Sequence, residues 1–87
     1  MHAVIVNVTI NDPLAAERAL REQLVPRVSQ LPGFVTGYRT LKDNTGLTML
    51  IFESEDAANA MSQHAEATVP TAMTFTDVEV REVAAHA

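Results

Sequence analysis

The chain has no cysteine and no tryptophan, and only one tyrosine and three phenylalanines among its 87 residues. The missing cysteine removes disulfides, thiolate nucleophiles and thiolate-based zinc sites together. The missing tryptophan leaves Tyr38 and the phenylalanines as the aromatic surface available to a ligand. Positive charge is also scarce. Six Lys and Arg stand against eleven Asp and Glu, a formal charge of −5, a poor match for nucleic acid or an anionic lipid surface. No apolar run approaches the roughly 18 residues of a membrane span, and the N-terminus lacks the basic-then-apolar pattern of a secretory signal. The expectation is a cytoplasmic protein with neither nucleic acid nor membrane as a partner. A Ser/His/Asp order, paired carboxylates, a glycine-rich phosphate loop and a metal-ligand cluster are all missing too. Hydrolase, kinase and nucleotide-binding readings therefore have nothing to rest on.

What is present is a globular composition, 47% hydrophobic and 20% charged, in a chain short enough for one domain over 1–87. Ala3 to Ile10 (AVIVNVTI) is almost wholly β-branched and predicts a strand. Val4, Val6, Val8 and Ile10 form one row, and the smaller, partly polar Ala3, Ile5, Asn7 and Thr9 the other. Asp12-Pro13 reads as a helix start, with an N-cap carboxylate and a proline at the first position. The helix is expected to run to about Leu31, with Leu14, Leu20, Leu24, Val28 and Leu31 inward and a bend at Pro26. Phe34–Leu41 and Leu47–Glu53 read as strands joined by Lys42-Asp43-Asn44-Thr45-Gly46, where Asn44 and Gly46 tolerate positive φ. Ser54 caps a second helix carrying Glu55 and Asp56 in its first turn and a stripe of Ala57, Ala58, Met61 and Ala65. Thr74–Val83 is the last strand. The order is β-α-β-β-α-β. Right-handed crossovers make it an α+β, ferredoxin-like fold, a four-stranded antiparallel sheet in order 4-1-3-2 with both helices on one face.

One face of that sheet is left without a cover. The central strands are nevertheless apolar on both sides, with Ile5 on the first and Leu47, Met49 and Ile51 opposite Leu50 and Phe52 on the third. A sheet wet on one face alternates apolar with polar residues, and each large apolar side chain left in water forfeits about 1.5–3 kcal/mol. A second copy of the chain, packed as a two-fold homodimer, is the simplest cover.

The strand AVIVNVTI, the segment QLPGFVTGYRTL and the strand-to-helix join MLIFESEDAANAM resemble the antibiotic biosynthesis monooxygenase-like domains of the dimeric α/β barrel superfamily. The resemblance spans about Ala3 to Val83. It implies two sheets facing each other in a dimeric barrel with the helices outside, and a ligand cleft between each sheet and its own helices. It further implies a cofactor-independent monooxygenase acting on a small, largely apolar aromatic substrate. A non-catalytic ligand-binding or structural dimer is the alternative. In haem-degrading relatives an Asn on the first strand, a Trp on or near the second helix and a following His carry the site. Asn7 matches the first by strand position and His64 the last loosely. The Trp has no counterpart, Met61 occupying that part of the helix, and no cofactor is expected.

On this reading Asn7 donates a hydrogen bond to a substrate oxygen, and His64 or a water accepts a proton. Tyr38, Phe52 and Met61 are candidates for contact with the substrate. His2 and His86 lie near each other if the first and last strands pair, though two histidines on chain ends make a weak metal site. Arg39, Glu53, Asp77, Glu79 and Arg81 are expected to form cross-strand ion pairs and rim contacts.

Overall fold

The structure, a computed structural model, describes residues 1–85. Its elements are β1 (His2–Ile10), α1 (Pro13–Ala19), a π-helical turn (Leu20–Leu24), α2 (Val25–Ser29), β2 (Phe34–Lys42), β3 (Thr45–Phe52), α3 (Glu55–Thr68) and β4 (Met73–Glu82). The four strands form one antiparallel sheet in the order β2-β3-β1-β4, the expected order read from its other edge. Among the described residues no helix is long and apolar enough to cross a membrane.

The even row of β1 faces the helices. Val4, Val6, Val8 and Ile10 are all buried, together with Leu50 and Phe52 of β3 and Ala58, Met61 and Ala65 of α3. Strand alternation then turns Ile5, Leu47, Met49 and Ile51 to the uncovered face, as the register of β1 on β3 requires. At the helix starts the short polar side chains act as expected. The Asp12 carboxylate accepts from the Ala15 N–H at 3.2 Å, and the Ser54 hydroxyl from the Ala57 N–H at 3.2 Å.

Three local expectations are corrected. Leu14 is 80% exposed, and Ala16 and Ala19 take the buried positions on α1. Leu14 stands six residues before Leu20, about 240° around an α-helix, so the two do not share a stripe. The disturbance expected at Pro26 takes the form of a π turn directly upstream, where the Val25 N–H reaches back five residues to the Leu20 carbonyl. The wider turn relieves the ring's clash with the preceding helical carbonyls. In the hairpin, Asp43 takes the positive φ of 56°, while Gly46 lies inside β3. Gly46 is needed there for closeness, since a Cβ would lie 3.0 Å from Val8 Cγ2.

Two bulges decide which side chains reach which face. The β2–β3 register shifts between Phe34 and Thr36, and the β1–β4 register between Asn7 and Val8. Phe34 therefore joins the helix side, edge-on to Phe52 with ring centroids 5.8 Å apart, and so do Gly37 and Arg39 three and five residues later.

Candidate functional site

Between α2, α3 and β3 lies a cavity of about 300 Å³ with almost wholly apolar walls. Its base is formed by Phe52 and Met61, and its sides by Val28, Leu31 and Ala57. Small side chains make the space. Ala57 and Ala60 keep the α3 wall low, while α3 is held at its start by the close approach of Gly33, where a Cβ would lie 3.0 Å from the Ala57 Cβ. At the rim stand two exposed side chains with nitrogen heads, Arg27 and His64. Since α3 continues to Thr68, His64 lies within the helix rather than at its end. Residues Val28, Met61 and Thr68 are shared with an inner recess of about 40 Å³, so the two spaces adjoin beneath the helices.

Three of the five candidate residues meet here: Phe52, Met61 and His64. The other two do not. Asn7 is half-buried on the opposite face of the sheet, beside Leu47 and Asp77, in a shallow depression with Thr40 and Thr45. Tyr38, opposite Met49 on the same face, is 65% exposed. The expectation that Asn7 and His64 act on one ligand within one cleft is therefore corrected. Asn7 belongs to the odd row of β1, and the even row points at the helices.

Arg39 is corrected as well. It forms no cross-strand pair. It stands half-buried on the helix side of β2 opposite Thr48, lining the inner recess with Val6, Val8, Leu24 and Leu50. No carboxylate of the described residues lies within 4.0 Å of it. Loss of water around the guanidinium holds its pKa below the usual arginine range. Glu79 and Arg81 pair along β4 at 3.0 Å instead of across strands. His2 approaches Glu55 at 3.6 Å, and its Nδ1 is buried without a hydrogen-bond partner among the described residues. His86 lies outside the described residues, and no group of three His, Asp or Glu able to hold a metal exists among those described.

Neither protein-family models nor curated proteins give a match to this chain. The cleft itself therefore carries the functional argument. An apolar space with a few polar groups at its edge binds a ligand by excluding water from its body and orienting its polar end. At about 300 Å³ it is at the small end of such sites.

Proposed function

We propose that the chain binds a small, largely apolar aromatic molecule in the cleft between α2, α3 and β3, and works as a homodimer joined through its uncovered sheet face. The observation that carries the first part is the apolar cavity with nitrogen heads confined to its rim. The resemblance to antibiotic biosynthesis monooxygenase-like domains extends the reading to cofactor-independent oxygenation. In that chemistry a deprotonated substrate carbon gives its electron pair to dioxygen, and the resulting hydroperoxide loses water to leave a carbonyl. The protein's part is to bind, exclude water and take the first proton. His64 is the one imidazole at the cavity among the described residues and the residue proposed as that base. Phe52 and Met61 supply the apolar contact. Asn7 and Tyr38 belong to the opposite sheet face and act at the dimer contact.

Amide chemical shifts recorded during titration with 2-naphthol test the binding step. Shifts are expected at Leu31, Met61 and His64 and not at Asn7 or Tyr38. Shifts confined to the open sheet face, or none, would remove the cleft reading. Oxygen uptake with an anthrone, lowered in His64→Ala, separates an enzyme from a non-catalytic binder of the same ligands.

A further inference from the structure

The inner recess holds a feature that binding of an apolar molecule leaves unused. Arg39 projects from β2 into the space below the π turn, between the apolar side chains of Val6, Leu20, Leu24 and Met73. The described residues offer it no carboxylate within ion-pairing distance. The chain has eleven acidic residues and six basic ones, yet not one acidic residue lines either the recess or the adjoining cavity. A cation placed in a half-dry site without a counter-ion is stabilised by any anion that can reach it. The sizes divide the task. About 40 Å³ suits a group little larger than a water molecule, whose share of liquid volume is about 30 Å³. The ring-sized space is the neighbouring 300 Å³ cavity.

We propose that the ligand of this cleft is an aromatic monocarboxylate, its ring in the outer cavity and its carboxylate paired with Arg39 in the inner recess. The proposal rests on the cleft-binding reading above and adds the ligand's charge and orientation. A guanidinium fits a carboxylate with two parallel hydrogen bonds, so Arg39 sets both the charge selected and the direction in which the ring points. Thr48, opposite Arg39 on β3, supplies a hydroxyl at the same recess, whereas the Thr68 hydroxyl, on the wall shared with the outer cavity, donates to the Ala65 carbonyl at 2.8 Å. The apolar surroundings exclude competing water, which strengthens the pair relative to one at the surface. The inward position of Arg39 also separates it from Arg27, which is exposed at the rim.

The test compares 3-phenylpropionate with its neutral amide, 3-phenylpropionamide, by calorimetry and amide chemical shifts at low salt. The proteins are wild type, Arg39→Met, Arg39→Lys and Arg27→Met, each first checked for a cooperative thermal transition. Wild type is expected to favour the acid over the amide at least tenfold. Arg39→Met is expected to lose that preference while still binding the amide, and Arg39→Lys to recover part of it. Arg27→Met is expected to keep it. Equal binding of acid and amide by wild type overturns the proposal while leaving the cleft reading intact. Loss of the preference in Arg27→Met but not in Arg39→Met overturns it as well, because the anion then sits at the rim. Binding of neither compound to any of the four proteins removes the cleft reading, and the proposal with it. If Arg39→Met fails to fold, the Arg39→Lys result decides: full preference for the acid with unchanged affinity contradicts a bidentate pair.

Discussion

Asn7 interrupts a run of β-branched residues in a central strand, and its environment gives that interruption a defined cost. The side chain is half-buried on the open face, opposite Leu47 on one side and Asp77 on the other. Water can reach it in the isolated chain, so its removal strands no dry partner. Asn7→Val should therefore leave the monomer's stability unchanged or raise it by up to about 1 kcal/mol, the span of strand propensities. Urea unfolding of the two proteins, at a concentration low enough to dissociate a dimer, checks this. A loss above about 2 kcal/mol would mean that the amide is a buried, partnered group, and would place a hydrogen bond across the sheet face. Arg39 behaves differently. Its charge is partly dehydrated with no compensation among the described residues, so Arg39→Met should hold or increase stability in the absence of ligand, since the methylene stem's packing is kept. A melting temperature lowered by several degrees would indicate a counter-ion that this arrangement does not contain.

The pairing of elements was legible because it rests on signals a few residues long. Asp12-Pro13 and Ser54 mark helix starts, alternation marks the strands, and the tight turn at Asp43-Asn44 fixes the β2–β3 hairpin. What was not legible is where a strand changes parity. Phe34 and Arg39 are five residues apart, an odd number that simple alternation assigns to opposite faces, yet the bulge near Phe34 brings both to the helix side. The same five residues hid the inner recess and its arginine. The cleft also depends on the π turn and on alanines in α3, and an alanine stripe in a sequence reads equally well as tight packing. Gly37 follows from the same register. A Cβ there would lie 2.8 Å from Leu50 Cδ2, and Leu50 is only 1% exposed, held on every side. Gly37→Ala should cost about 1–3 kcal/mol of overpacking, more than strand propensity of at most about 1 kcal/mol returns. The urea midpoint should fall with its slope unchanged. A midpoint equal to wild type would show that Leu50 has room to move, and that the sheet under the helices is looser than its burial indicates.

Taken as a whole, the molecule has a core on one side of its sheet only. Val4, Leu50 and Phe52, the largest fully buried side chains, all lie on the helix side, while the other face presents Ile5, Leu47, Met49 and Ile51 in adjoining rows with Tyr38 beside them. Leu47 and Met49 remain 39% and 37% exposed in the single chain. Such a row in two central strands exceeds what a sheet facing water carries. A two-fold partner, as proposed above, would cover it with the same row, so that each buried residue would count twice. Light scattering on a sizing column should give about twice the chain mass of 9.5 kDa. The two faces also predict different failures. Val6 points into the core beneath the helices, so Val6→Asp should abolish folding outright, because the buried charge has no partner. Met49 points away from that core, so Met49→Asp should leave a folded monomer with native circular dichroism and a lower melting temperature, the part of its stability drawn from association being lost. A wild-type protein that elutes as a monomer and melts at the same temperature as Met49→Asp, at every concentration, would show that the apolar face is tolerated in water and that the chain works alone.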